Sequence, residues 1–449
     1  MKISSFKQFS FRRAILPASI IAAMALSGSA SAFKVDSDNE DIDIRWDNTF
    51  RYNAGWRMQD QASYLVSPVT GGFYRASDMR FSKGDMVTNR LDILSEFDFI
   101  YKKDTGFRVS AAGWYDTVYN NHFASNNVFF PNGQLPGEVQ RYYNGPSGEF
   151  LDAFVFTKFD LGNVPVNVKL GQHTVYWGEA IFSLADGVSA GQSYADLRKA
   201  LATPGAEAKE IFKPLNQLSF SAQLSPELTE TGQYFFDWKS DLFPLAGTYF
   251  SPFDMLTYAG YTAFPGVLGW DGLHTNGLDK SGDWGLAARW RPEWLDGTAG
   301  FYYREYTPKN AGSFVIDGSN AGVFGGTGPF LGTAGIMLDP KLPRTKLIGL
   351  SLAKQVWGIS WGMDITHRKD ANLLVMPFSW VGGPLTGPYT LQTGGWAPYG
   401  DIWTGVFNMI AYDGKRGIGD FNLYDSAVLT AELNWDAIDK VTHDPLGMF

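Results

Sequence analysis

Apolar and polar residues alternate with a period of two along most of the chain after residue 32. Between 42 and 58, one set of alternate positions is largely apolar and aromatic, and the other is charged or polar. Because successive side chains of a β-strand point to opposite faces, each such segment has one apolar and one polar face. No apolar run after residue 32 reaches the roughly 20 residues that a membrane-spanning helix needs. The pattern therefore predicts an all-β protein and excludes a bundle of transmembrane helices.

The connections between these segments are alternately short turns and long loops. We expect twelve strands, near 42–58, 88–102, 106–119, 150–161, 163–178, 216–224, 228–239, 283–291, 297–306, 345–355, 356–368 and 426–436. We expect long loops at 59–84, 120–149, 243–281, 307–343 and 369–424. Hairpins with short turns at one end and long loops at the other are typical of an antiparallel transmembrane β-barrel of outer-membrane type. A soluble β-sandwich or propeller is the alternative that the alternation leaves open.

The first 32 residues have the features of a secretory signal peptide. Lys2, Lys7, Arg12 and Arg13 precede a short apolar run at 14–26 and an A-x-A cleavage pattern at 30–32. We expect the mature chain to begin at Phe33. Residues 33–449 then form one barrel domain, located in the outer membrane of a Gram-negative cell.

One segment, 179–214, does not alternate and is predicted to be a short helical insertion. Asp196 is placed to cap a helix over 197–201, and 206–212 can form another turn or two before Pro214. Irregular backbone must avoid lipid, so this segment either folds into the lumen as a plug or constriction, or forms a periplasmic loop. The candidate residues for lining the lumen and setting selectivity are Glu179, Asp196, Arg198, Lys199, Glu207, Lys209 and Glu210.

Three stretches carry a resemblance to a known family: 171–179, 196–199 and 204–214. They resemble a proteobacterial family known as domain of unknown function 1302, and the similarity extends across the mature chain. The resemblance implies an outer-membrane protein that often occurs beside exported lipoprotein-like proteins, one of which is the expected partner. Members are usually longer at the C-terminus, and Pro445 interrupts the final segment. A barrel truncated at its C-terminus is therefore one interpretation. The resemblance implies no reaction and no catalytic residues.

Groups that carry chemistry are few. The chain has no cysteine, its five histidines are far apart, and no metal or cofactor motif is present. His173 is expected to be a structural residue on the polar face of its strand. The net charge of -9 argues against nucleic acid as a partner. Residues 187–191 match G-x-S-x-G around Ser189, the pattern of a hydrolase nucleophile, although neither a buried strand before it nor a helix directly after it is predicted.

These observations favour an outer-membrane channel or solute-binding barrel that performs no chemistry. Outer-membrane lipids surround it, and the solute, although unknown, could be an amphipathic or hydrophobic organic compound. Two alternatives belong to other classes. One is an outer-membrane hydrolase that uses Ser189, and the other is a soluble periplasmic β-rich binding protein.

Overall fold

The structure is a computed structural model. It describes residues 31–35, 37–62, 80–120, 137–183, 186–245, 247–251, 262–264, 268–269, 281–309, 342–373, 398–414, 416–418, 421–424 and 426–444. Residues 1–30 of the predicted signal peptide, most of the predicted long loops and the residues after Asp444 lie outside the described residues. No helix among the described residues is long and apolar enough to cross a membrane.

Strands make up most of the described chain. They are β1 (Ser31–Val35), β2 (Ile42–Trp56), β3 (Met86–Tyr101), β4 (Thr105–Asp116), β5 (Ser147–Leu161), β6 (Val164–His173), β7 (Tyr194–Ala195), β8 (Phe212–Lys213), β9 (Leu215–Gln223), β10 (Leu228–Phe235), β11 (Thr262–Phe264), β12 (Leu268–Gly269), β13 (Trp284–Trp290), β14 (Gly297–Tyr306), β15 (Thr345–Val356), β16 (Ile359–Asn372), β17 (Tyr399–Asp413), β18 (Arg416–Ile418), β19 (Phe421–Tyr424) and β20 (Ala427–His443). The α-helices are α1 (Gly137–Val139), α2 (Leu197–Ala202) and α3 (Ala208–Ile211). Short 3-10 turns occur at Thr117–Asn120 and Glu293–Leu295, and a π-helical turn occurs at Gln140–Asn144.

Fourteen strands form one antiparallel sheet in the order β1-β2-β3-β4-β5-β6-β9-β10-β13-β14-β15-β16-β17-β20. Neighbours in the sheet are also neighbours in the chain, apart from the short strands that lie inside connections. Turns of a few residues join β3 to β4, β5 to β6, β9 to β10 and β15 to β16 at one end. The long connections leave from the other end. Within the described residues, no pairing joins the edge strands β1 and β20.

The two faces of this sheet have the polarity that the alternation predicts, and the apolar face is the exposed one. On β9, Leu218 and Phe220 are exposed, whereas Gln217 and Ser219 are buried. On β3, Leu91 is exposed, whereas the neighbouring charged residues Arg90 and Asp92 are buried. A protein surrounded by water has the opposite arrangement, because charged residues are rarely buried there. The predicted faces are confirmed.

The sheet curves around the insertion, which begins after β6 and ends before β9. This segment of about 40 residues contacts the polar face of β2, near one edge of the sheet, and of β20, at the other edge. In a flat sheet those two strands would lie about 58 Å apart, at about 4.8 Å per strand. A compact segment of that length has a radius of gyration of only about 9 Å. The polar face is therefore concave and encloses the insertion, and below it is called the inner face.

Two strands of the fourteen-stranded sheet were missing from the sequence prediction. The predicted loop 369–424 contains β17, and β1 precedes the first predicted strand. β17 was missed because its inner face also carries apolar residues: Trp403 and Phe407 point outward, and Ile402 and Val406 are buried on the inner face with Thr404 and Asn408. A strand with apolar residues on both faces lacks a clear period of two. The strand predicted over 163–178 ends at His173, so the insertion begins at residue 174 rather than 179.

The first prediction tests the two faces on β9. Phe220→Arg should lower the free energy of unfolding by about 2–4 kcal/mol if this residue lies near the middle of a bilayer, because a charge would then face lipid. Ser221→Arg, one residue further along, should cost much less because Ser221 is only half-buried and lines an open pocket with Asn167 and Gln223. Urea titration in lipid vesicles measures both values. Equal losses for the two variants would contradict the assignment of faces.

Candidate functional site

The first residues of the insertion pack against the inner face of the sheet. Trp177 is buried against Val188 of the insertion and against Ala287 and Tyr302 on β13 and β14. Its backbone amide donates to Gln192 Oε1 at 2.8 Å, and Gln192 in turn donates to Gln233 on β10 at 2.8 Å. An aromatic anchor and a buried amide relay thus fix the start of the segment to the sheet.

Two strand carboxylates bind consecutive backbone amides of the insertion. The Asp364 carboxylate accepts from the amide of Glu179 at 2.9 Å. The Glu432 carboxylate accepts from the amides of Ile181, Phe182 and Ser183 at 2.6 to 3.2 Å. Successive N–H groups that converge in this way form an anion-binding concavity. Here the anion is a side chain of the sheet, so β16 and β20 hold one end of the insertion.

Gly178 permits the close approach to β16. Its φ is +85°, and a Cβ atom there would lie 2.5 Å from Asp364 Oδ2. Any other residue would therefore be strained by its backbone conformation and would also collide with the carboxylate.

The middle of the insertion, 186–192, consists of turns that contact β14 and β15. Ala190 packs with Tyr306 and Leu347. The guanidinium of Arg304 donates to the carbonyl groups of Val188 and Ala190. Arg304 is fully buried, and its Nε and Nη2 atoms have no hydrogen-bond partner among the described residues.

Ser189 is buried within these turns. The next helix, α2, begins only at Leu197, and a turn precedes the serine at 186–188. The strand-serine-helix geometry of a nucleophile elbow is therefore missing from the described part of this segment.

The end of the insertion contains the two predicted helical turns. Asp196 caps α2, because its side chain accepts from the amide of Lys199 at 3.2 Å. In α3, Glu210 accepts from the amide of Glu207 at 3.0 Å. The predicted start of α2 is confirmed, whereas α3 begins two residues later than predicted and spans only Ala208–Ile211.

A network of ion pairs, most of them buried, joins these helices to β2, β3 and β5. Glu210 pairs with Arg51 on β2 at 2.7 Å and with Lys199 at 3.3 Å. Asp196 pairs with Arg198 at 2.9 Å and with Lys213 at 2.8 Å. The remaining pairs of the network are Lys213–Glu149 at 2.6 Å, Lys199–Glu149 at 3.7 Å, Lys209–Glu96 at 2.5 Å and Lys209–Glu207 at 3.0 Å.

The network balances its charges, with five cationic and five anionic side chains. The cations are Arg51, Arg198, Lys199, Lys209 and Lys213, and the anions are Glu96, Glu149, Asp196, Glu207 and Glu210. Isolated charges at such depth would carry a large desolvation cost, which pairing and hydrogen bonds offset.

The pKa values of two insertion carboxyl groups reflect this pairing. Burial alone would raise the pKa of Asp196, but Arg198 and Lys213 lower it well below its ordinary value. Burial likewise opposes ionisation of Glu210, and its contacts with Arg51 and Lys199 outweigh burial and lower its pKa. Glu179 differs because burial dominates and raises its pKa, with Arg289 acting weakly against it.

The structure brings together six of the seven predicted site residues. Asp196, Arg198, Lys199, Glu207, Lys209 and Glu210 belong to the network. Glu179 lies apart, 3.7 Å from Arg289 on β13.

The sequence analysis did not name the strand partners. Arg51, Glu96, Glu149, Asp364 and Glu432 all anchor the insertion. Each occupies an inner-face position of its strand, so a search for charged residues on polar faces would have identified them as candidates, without their pairings.

Two further expectations concern histidines and metals. His173 is buried, with Nδ1 2.9 Å from the Gly171 carbonyl and Nε2 2.7 Å from Ser219 Oγ, which confirms a structural role. Among the described residues, one group could hold a metal ion: His367, Asp401 and Asp439, outside the insertion. The sequence analysis expected no metal site because the chain has no cysteine and no closely spaced histidines.

Comparison with known proteins identifies a family. The family model described as "Protein of unknown function (DUF1302)" matches residues 13–446. No curated protein matches the chain.

Solved structures similar to this chain include three with low sequence identity. The outer membrane channel DcaP of Acinetobacter baumannii is 8% identical, with 91% of this chain and 83% of that chain covered and a TM-score of 0.35. A mutant of the ferric enterobactin receptor PfeA from Pseudomonas aeruginosa is 11% identical, with 90% and 52% covered and a TM-score of 0.33. OpdL of Pseudomonas aeruginosa is 9% identical, with 90% and 86% covered and a TM-score of 0.29.

The second prediction concerns the centre of the network. Glu210→Gln should lower the free energy of unfolding by about 3–5 kcal/mol, because it takes the anionic partner from buried Arg51 and one of two anionic partners from Lys199. Glu207→Gln removes the same charge from a residue that is 42% exposed and should cost less than about 1 kcal/mol. Urea titration in lipid vesicles compares them. Similar losses would show that the Glu210 pairs do not hold the helices.

The third prediction concerns acid. Because the folded pKa values of Asp196 and Glu210 are lowered, their contribution to stability is complete above the unfolded values of about 4. It is lost as the pH falls through the lower folded values. Hydrogen exchange of 196–213, corrected for intrinsic rates, should therefore accelerate below about pH 4. Unchanged protection at pH 2 would contradict the assigned directions.

Proposed function

This chain belongs to the DUF1302 family of proteins of unknown function, and we propose that it is an outer-membrane β-barrel that passes or binds a solute. In this proposal the fourteen-stranded sheet encloses a lumen, and the insertion narrows that lumen.

The observation that carries the proposal is the polarity of the sheet. The convex face exposes large apolar side chains, whereas the concave face buries charged and amide side chains. Outer-membrane barrels alternate apolar-out and polar-in in this way. A soluble sandwich would instead bury its apolar face against a second sheet.

Aromatic residues near the short turns add support for a membrane location. Tyr101 ends β3, Trp290 ends β13, and Trp294 and Trp357 lie in turns at the same end of the sheet. Trp294 and Trp357 are among the exposed apolar residues. Amphipathic rings at that level suit the boundary between lipid and water.

The insertion is proposed as the constriction that controls passage. It contacts the inner face near both edges of the sheet, so a solute must pass beside it or displace it. The cavity between α2 and the strands measures only about 20 Å³, enough for a water molecule but not for an organic solute. Entry of such a solute into this cavity therefore requires the insertion to shift.

The side chains around that cavity would suit an amphipathic organic solute once the insertion has shifted. Trp114, Tyr142 and Tyr143 lie beside Arg90 and Arg198. The Arg198 guanidinium lies 3.8 Å from the ring centroid of Tyr142. Aromatic faces next to cations can accommodate a compound with an apolar body and an anionic group. The hydrolase alternative has no comparable support, because the described residues around Ser189 do not form a nucleophile elbow.

The fourth prediction tests the channel directly. In planar bilayers the purified protein should conduct ions, and replacing both Glu207 and Glu210 with Gln should shift its selectivity toward anions or change its conductance. The matched control replaces Glu230 and Glu305 with Gln, which removes two carboxylates from the outer face. This control should leave selectivity unchanged.

Three outcomes would contradict the proposal. One is full release of the protein into the periplasmic extract after osmotic shock, without detergent. The second is the absence of any conductance from protein whose migration on a gel is heat-modifiable, as expected of a folded barrel. The third is an identical selectivity shift in the two double variants.

A further inference from the structure

Three side chains with metal-ligating atoms meet on adjacent strands, away from the insertion. His367 on β16, Asp401 on β17 and Asp439 on β20 each offer one ligand atom, and these atoms lie within 4.8 Å of one another. His367 Nε2 and Asp439 Oδ2 are 3.6 Å apart. Ligands about 2.1 Å from a tetrahedral zinc ion lie about 3.4 Å from each other. The spacing therefore suits a shared cation.

Strand register explains why residues so distant in sequence converge. Trp403 on β17 pairs with His367 on β16 and with Ala437 on β20. These three residues therefore lie side by side across the three strands. The pairing of β17 with β20 then shifts between Asp401 and Ile402, where Asp401 pairs with Lys440 and Ile402 with Ile438. This irregularity brings Asp439 beside the imidazole.

The group lies on the outer face, near the end of the sheet with the long connections. Thr366, next to His367, is buried on the inner face, so His367 points outward. The strand β16 ends at Asn372, β17 begins at Tyr399, and β20 ends at His443. The site is therefore separate from the lumen and does not depend on the proposed channel function.

Neighbouring groups hold two of the ligands in place. Asp401 Oδ1 accepts from the amide of Asp370 at 3.1 Å, which orients its carboxylate. The His367 ring lies against Trp403, with 4.7 Å between ring centroids. Such outer-shell contacts fix the orientation of metal ligands before the ion arrives. Asp439 is about half exposed, so solvent can reach the group.

We propose that His367, Asp401 and Asp439 bind a divalent transition-metal ion, with zinc as the best match. One imidazole nitrogen and two carboxylate oxygens are ligands that zinc accepts, and a water molecule would complete four-coordination. The ion would connect β20, the last strand of the sheet, to β16 across β17. Its role would be structural, because it would fasten an edge strand.

The fifth prediction is that the full chain, purified in detergent and stripped of metal, binds one zinc ion with ZnCl2 as the probe. Isothermal titration at neutral pH gives the affinity. Loss of an outer-shell partner alone commonly weakens metal binding 10- to 100-fold. His367→Ala and Asp439→Asn should therefore each weaken it at least about tenfold. Glu230→Gln, an outer-face carboxylate on β10, should bind zinc as the unaltered chain does.

A second readout keeps the test independent of folding. X-ray absorption of the zinc-loaded protein should show one imidazole and otherwise oxygen ligands. Asp439→Asn changes a half-exposed side chain on an edge strand, so the variant should still fold and keep its heat-modifiable migration. Weaker zinc binding by this variant then reports the loss of a ligand rather than a loss of folding. Absence of saturable zinc binding by the unaltered chain would overturn the proposal. Undiminished affinity in folded Asp439→Asn would also overturn it.

Discussion

A charge that leaves water must meet an opposite charge or several hydrogen bonds, and this requirement governs how the insertion lies against the sheet. On one side, Glu210 and Asp196 have cationic partners that include Arg51 of β2. On the other side, the carboxylates of Asp364 and Glu432 accept from backbone amides of the insertion. The polar inner face and the insertion therefore depend on each other. Without the partners that each supplies to the other, the desolvation cost of their buried charges would not be offset.

The outer face of the same strands is apolar and therefore suits a different environment from the inner face. Alternation places Phe220 outward and Ser219 inward on β9, so one short sequence faces two media. A chain with this arrangement needs an apolar surrounding for its convex face and a polar filling for its concave face. The insertion supplies part of that filling, and its many pairs imply that it cannot move without a concerted break in the network. In the proposed barrel, the insertion rather than an open pore would control passage.

Local features of the fold could be predicted from sequence, and long-range pairings could not. The faces of β2, β3 and β9 follow from a period of two, and the start of α2 follows from Asp196 as a cap. By contrast, Arg51 and Glu210 are 159 residues apart, so their pairing depends on a curved sheet that no local pattern encodes. The strand β17 was missed because Val406 and Ile402 are apolar inner-face residues that pack beneath other groups. His367, Asp401 and Asp439 meet only through the register of three strands.

The most direct test of the account is the environment of alternate residues on one strand. The chain contains no cysteine, so single cysteines can be introduced along β15 and spin-labelled without background. In lipid vesicles, labels at 348, 350 and 352 should be accessible to oxygen dissolved in the bilayer, whereas labels at 349, 351 and 353 should be shielded from it. This period of two would place the exposed apolar face in lipid. The central claim would be contradicted if labels at 348, 350 and 352 were as accessible to a water-soluble paramagnetic reagent as they are to oxygen.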